Sequence, residues 1–155
     1  CGIDCTGPSA VDRGRKSNKV SVIVDETGIP WGITFHKGNK SDAKAFYHTT
    51  QEIKKLQQPL SRITQKTFLG DRAYDCKQCD AVVNNMGWKN EVARRKCTKY
   101  EFSSIRVRVE HVFAWLDKYR RIVVRYERNI TQYKSFTYLA MCHLISRRLK
   151  GFTMY

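Results

Sequence analysis

Two runs of alternating and β-branched residues open the readable pattern. Lys19-Val-Ser-Val-Ile-Val-Asp25 is dense in valine, Glu26-Thr27-Gly28 supplies a turn, and Ile29-Pro-Trp-Gly-Ile-Thr-Phe35 resumes the extended pattern, which predicts a β-hairpin. Residues 1–19, basic and sprinkled with Gly, Pro and Ser, carry no period and read as a loop. Beyond Asn39 and the capping candidates Ser41 and Asp42, a Gly-free run to about Gln58 sets Ala45, Phe46, Ile53 and Leu56 on one helical side, and Pro59 stops it. Thr67-Phe-Leu-Gly-Asp71 reads as a short strand closing on an acid, and Asp75 opens a helix through Val82 and Val83 to Met86-Gly87. A brief strand follows over Trp88 to Arg95. Ser103 or Ser104 then caps a helix whose stripe is Ile105, Val109, Val112, Phe113 and Leu116. The segment from Thr131 to Leu149 repeats apolar residues at Phe136, Leu139, Ala140, Leu144 and Ile145, the pattern of a largely buried helix. Hairpin, helix, strand, helix, strand, helix, helix is the order of an α/β domain with a mixed sheet covered by helices.

Length and charge then narrow the class. The chain has 155 residues, 41% of them hydrophobic, which suffices for one domain with a core. Its apolar runs, Val20–Val24 and Ile122–Val124 among them, fall far short of the roughly 18–20 residues that cross a bilayer. Lys and Arg number 29 against 14 Asp and Glu, a formal charge of +15, so the expected partner is a polyanion. Residues 94–150 hold 15 Lys/Arg against 4 acids, whereas residues 1–93 hold 14 against 10. The basic runs Arg94-Arg95-Lys96, Arg106-Val-Arg108, Lys118-Tyr-Arg120-Arg121 and Arg125-Tyr-Glu-Arg128 interleave arginine with aromatics, a pattern suited to phosphate contact and base stacking. Six cysteines in a chain this cationic point to a reducing, intracellular setting rather than a disulfide scaffold. Cys76-Lys-Gln-Cys79 has metal-ligand spacing, and Cys1 with Cys5 would complete a four-sulfur zinc set. Without a second CxxC or an HxxxH, burial of a thiol in the helix after Asp75 is the preferred reading. His36, His48, His111 and His143 share no helical i,i+4 spacing and read as packing or surface groups.

Two acids stand apart by position. Asp71 ends a short apolar strand, the end at which α/β sheets place functional groups, and Glu110 borders the apolar stripe of the 103–118 helix with Arg106 one turn earlier. Carboxylate oxygens suit hard cations such as Mg²⁺, and such pairs beside a basic surface suit phosphodiester chemistry. An Asp that merely caps the next helix or pairs with arginine would look the same in one sequence.

The motifs in order resemble the insertion-sequence DDE transposases, specifically the group called the insertion-sequence-five family. Thr6-Gly-Pro-Ser-Ala-Val-Asp12-Arg-Gly-Arg15, then Asp25-Glu-Thr-Gly28-Ile-Pro30 and Gly38-Asn39-Lys-Ser-Asp42, resemble the family's opening segments. Gly70-Asp71-Arg-Ala-Tyr74-Asp75 looks like its second catalytic Asp motif, and Ala93-Arg94-Arg95 like the strand after it. Val109-Glu110-His-Val-Phe113-Ala-Trp115-Leu116, Tyr119-Arg120-Arg121 and Arg125-Tyr126-Glu127-Arg128 resemble the block around its catalytic Glu. The resemblance implies a ribonuclease-H-like mixed sheet flanked by helices, with two Asp and one Glu holding Mg²⁺ or Mn²⁺ for cleavage at transposon ends and strand transfer into target DNA. Asp71 and Glu110 match the second and third acids; Arg106, Arg108, Arg120 and Arg121 are the expected DNA-binding residues. The family's first Asp lies in a strand upstream of Thr6, so residues 1–155 read as a catalytic domain truncated at its amino terminus. That strand, the first Asp and an amino-terminal DNA-binding region are expected upstream. Asp4 is a poor substitute, since the three residues before it cannot form a central strand and Gly7-Pro8 follows at once. A homo-oligomer on DNA, no membrane, and an intracellular, DNA-associated location complete the expectation. The alternative is a transposase remnant or domesticated DNA-binding module without catalysis.

Overall fold

The computed structural model describes residues 5–9, 13–55, 66–93 and 103–152. A two-residue strand β1 (Gly7–Pro8) pairs antiparallel with the start of β2 (Lys16–Val24), and β2 pairs antiparallel with β3 (Pro30–Lys37) in the register Val20↔Phe35 and Val22↔Ile33. Helix α1 (Asp42–Lys55) follows, then β4 (Thr67–Gly70), a 3₁₀ turn (Arg72–Tyr74), α2 (Lys77–Asn85) and β5 (Lys89–Val92). β4 and β5 pair in parallel, with α2 as the crossover between them. Helices α3 (Ser103–Leu116), α4 (Arg120–Val123) and α5 (Ile130–Phe152) complete the described chain.

The architecture is mixed α/β, and its packing follows the two-residue period of β2. Val22 and Val24 pack with Ile33 onto the cluster of Val112 and Leu116 from α3 and Ala140 and Met141 from α5. Ile23, pointing the other way, joins the cluster of Phe46, Phe68, Cys79, Val83 and Val92. The hairpin therefore has α3 and α5 on one face and α1 with the β4–α2–β5 unit on the other. Helix α1 links the hairpin to β4: Phe46, 2% exposed, places its ring 4.5 Å from Phe68 and 5.5 Å from Tyr74. On its other turns α1 lies so close to β3 that a Cβ on Gly32 would stand 2.9 Å from Ile53 Cγ1 and 3.1 Å from the Thr49 carbonyl oxygen.

Several expectations change. The described residues form two small sheets, one antiparallel and one parallel, rather than one continuous mixed sheet. β2 begins at Lys16, inside the stretch read as loop, because Ser17 and Lys16 gain backbone partners in Gly7 and Pro8. Asp75 does not open a helix; it ends the 3₁₀ turn, and α2 starts at Lys77 with Cys76 as its N-cap. In α5 the buried stripe is Tyr133, Thr137, Ala140, Met141 and Leu144, spaced i, i+4, i+7, i+8 and i+11, so Leu139 falls on the outer side and is 68% exposed. That helix is half-buried rather than largely buried. Leu56, Gln58, Pro59, Arg94 and Arg95 lie outside the described residues, as do Cys1, Asp4 and Asp12.

Candidate active site and basic surface

Asp71 stands at the carboxyl end of β4, exposed, one residue after a strand whose Phe68 and Gly70 are buried. Gly70 is required by closeness, since a Cβ there would lie 2.8 Å from the Phe68 ring and 3.2 Å from Val92 Cγ2. The Asp71 carboxylate caps the following 3₁₀ turn, accepting the Arg72 N–H at 2.5 Å, and its carbonyl accepts the Tyr74 N–H at 2.9 Å. Tyr74 is wedged against Phe46 and Phe68, which anchors the turn to the core. Burial pushes its phenol up to about 12, assisted by the charges of Asp42, Cys79 and Asp71, so the ring stays neutral. The capping role and the emergence of the carboxylate at a strand end, posed as alternatives by the sequence, are both present.

Glu110 is exposed on α3, whose Val112 and Leu116 are fixed against α5 and the hairpin. Arg106 sits on the same helix, its side chain outside the described residues. Among the described residues no three His, Cys, Asp or Glu side chains gather as a metal-binding group. The donor chemistry of Asp71 and Glu110 nonetheless suits Mg²⁺, which takes one or two carboxylates and fills its octahedron with water and substrate phosphate.

The expected DNA-binding arginines differ in their freedom. Arg108 and Arg120 are exposed. Arg121, also exposed, points its guanidinium 3.6 Å from Glu127 Oε1 and 4.6 Å from the Phe136 ring centre. Arg125 is turned inward, donating from Nε to the Glu127 carbonyl at 2.9 Å and from Nη2 to the Arg128 carbonyl at 3.2 Å, with its guanidinium 5.0 Å from the Tyr133 ring centre. This last basic run is thus part of the loop's internal wiring, beside the buried Glu127, which sequence spacing gave no reason to single out.

The cysteine expectation resolves toward packing. Cys79 is fully buried in the Phe46 cluster, where burial first and the neighbouring Cys76 second push its thiol up to about 12. Cys5 directs its S–H toward the Phe35 carbonyl. The histidines hold one surprise: His36 and His48, on different elements, bring their rings to 5.6 Å. No periodicity within one element could have shown that.

The described residues thus form a mixed α/β domain with one exposed acid, Asp71, at the end of a parallel strand and another, Glu110, on α3. Residues 6–145 match the family described as the transposase DDE domain, and the chain belongs to that family. A relative from Burkholderia cepacia, named "Putative transposase for insertion sequence element IS402", is 26% identical over 142 residues, which cover 88% of this chain and 66% of the relative. This chain accordingly spans just under two thirds of that protein's length. No solved structure matches. The resemblance to insertion-sequence DDE transposases read from the motifs is borne out. Among the described residues no helix is long and apolar enough to cross a membrane.

Proposed function

We propose that this domain cuts DNA at transposon ends and transfers the freed ends into target DNA, within a ribonuclease-H-like fold. Asp71 and Glu110 are the catalytic carboxylates and hold Mg²⁺ or Mn²⁺; Arg106, Arg108, Arg120 and Arg121 hold DNA. The observation that carries the reading is the exposed carboxylate of Asp71 at the end of a buried parallel strand, inside a family match that runs from residue 6 to 145. When bound, a divalent cation lowers the pKa of water and neutralises charge that develops on the phosphodiester. The chain's own contribution is placement. The Arg72 N–H fixes the Asp71 carboxylate, and the packing of Tyr74 on Phe46 and Phe68 keeps that loop in one conformation. The arginines neutralise backbone phosphates, so affinity falls steeply with salt. The working assembly is a homo-oligomer on DNA inside the cell.

In the full-length protein, Asp71→Asn and Glu110→Gln abolish Mg²⁺-dependent cleavage of a transposon-end duplex and leave DNA affinity within about twofold, because neither carboxylate is assigned to hold DNA phosphates. Cleavage retained by either variant refutes its assignment. The second reading is DNA binding without catalysis, in which the fold and the basic surface act without the chemistry. A full-length wild-type protein that binds DNA but cuts none in Mg²⁺ or Mn²⁺ establishes it.

A further inference from the structure

A cleft of about 440 Å³ opens where β3 runs between α1 and α5. Its walls bring together groups from three elements and the turn before α1: His36 from β3, Lys40, His48 from α1, and Lys134 and Tyr138 from α5. Lys40 Nζ lies 3.1 Å from His48 Nε2, and Lys134 Nζ sits 5.7 Å from the Phe35 ring centre. Among the described residues neither ammonium has a carboxylate in ion-pair range, whereas the acids nearby are already engaged. Glu52, on the cleft wall, is held by Lys55 at 2.8 Å, and Asp42 is held by Lys19 at 2.9 Å.

The cleft therefore sets two ammonium groups, Lys40 and Lys134, against the single carboxylate of Glu52, a positive balance. His36 registers this. Burial first, then the charges of Lys40, His48, Lys134 and Lys19, drive its imidazole down to about 4, so it stays neutral and bonded to the Thr34 hydroxyl at 2.8 Å. A further cation is disfavoured there, and an anion is what the cleft would stabilise. The volume exceeds that of a phosphate group and lies in the range of small-ligand sites. Tyr138, 46% exposed and braced edge-on against Phe35 at 6.0 Å, adds an aromatic surface beside the cations, the combination that suits a nucleic-acid strand.

We propose that this cleft is a DNA contact separate from the Asp71 and Glu110 region, seating a backbone phosphate among Lys40, His48 and Lys134 with the adjoining sugar or base against Tyr138. None of these residues belongs to the Asp71 turn or to α3. The assignment rests on the DNA-binding part of the proposed function and adds a surface to it.

The test follows the imidazole resonances of His36 and His48 by NMR while the chain is titrated with a short DNA duplex and, separately, with inorganic phosphate. DNA shifts both resonances. In Lys40→Gln/Lys134→Gln the shifts vanish, and the slope of log affinity against log salt falls by about 1.8, equivalent to roughly 30-fold weaker binding near 0.15 M salt. The doubly substituted Lys40→Arg/Lys134→Arg form restores the slope, which separates charge from folding. Arg120→Gln weakens DNA binding yet keeps the imidazole shifts. Resonances that ignore DNA, or an unchanged slope in the glutamine variant, overturn the proposal. Shifts caused by phosphate but not by DNA overturn it in favour of a small-anion site. A wild-type chain that binds no DNA while phosphate still moves the imidazoles overturns the DNA-binding reading, and this assignment falls with it.

Discussion

Asp25 offers the sharpest stability test because one carboxylate organises the whole hairpin turn. Its Oδ1 accepts the Thr27 N–H at 2.9 Å, the Thr27 hydroxyl at 2.6 Å and the Ile29 N–H at 2.9 Å, while Oδ2 accepts the Trp31 indole N–H at 3.0 Å. In Asp25→Asn the amide oxygen can retain the first three, but the amide NH₂ then faces the indole N–H, donor against donor. A hydrogen bond to a charged group contributes about 1.5–3 kcal/mol; with the site half-exposed and water able to solvate the orphaned donor, the expected loss is about 1–2 kcal/mol. Asp25→Ala strips all four bonds and costs about 2–4 kcal/mol. For a chain of this size each kcal/mol lowers the midpoint by about 2–4 °C, so the asparagine variant melts about 2–8 °C lower. Burial alone would raise the Asp25 pKa, but the four hydrogen bonds together outweigh it and hold the carboxyl below its usual 3.8. A depressed folded pKa means the unfolded state takes up protons first. The contribution is therefore complete above about pH 4 and is lost as pH falls through the lower folded value. The gap between wild type and Asp25→Asn must then narrow on acidification, and a cycle with Trp31→Phe must show coupling of about 1 kcal/mol. Urea titrations from pH 3 to 7 measure all three. An asparagine variant as stable as wild type at pH 7, or a gap that widens in acid, refutes the reasoning.

Two further outcomes bear on the core. Gly32→Ala drives a methyl into Ile53 and the Thr49 carbonyl, and destabilises the protein by about 1–3 kcal/mol in urea denaturation; an unchanged midpoint contradicts the close approach of β3 and α1. Iodoacetamide at pH 8 labels the exposed Cys142 before Cys79, which it reaches only through unfolding, because that thiol is fully buried and pushed up to about 12. Peptide mass mapping that finds equal native-state rates at the two sites contradicts the packing.

What could be read from the sequence were the features written within single elements. The hairpin, α1, the strand before Asp71 and the α3 stripe at Val112 and Leu116 each carry a local period or turn, and each stands where expected. The α2 boundary did not, because Asp75 and Cys76 are both acceptable caps and only the preceding 3₁₀ turn decides between them. Leu139 was misplaced for a related reason: α5 is apolar on several sides, so residue type alone does not say which side meets the hairpin. The inward turn of Arg125, the burial of Glu127 and the approach of His36 to His48 arise from contacts between segments, which no spacing rule within one segment encodes.

One long-range contact ties the hairpin turn to α5. The guanidinium of Arg148 donates to the carbonyl of Thr27, 121 residues earlier, and covers the face of Trp115 at 4.2 Å. The turn that Asp25 shapes is thus closed from outside by the last helix. During synthesis, at about 5–20 residues per second, the hairpin emerges roughly 6–24 s before the arginine that completes it. Through that interval Val22, Val24 and Ile33 lack the α5 side of their cluster, so the nascent hairpin presents an apolar face to its surroundings. Truncation near residue 145 removes the arginine that covers this turn.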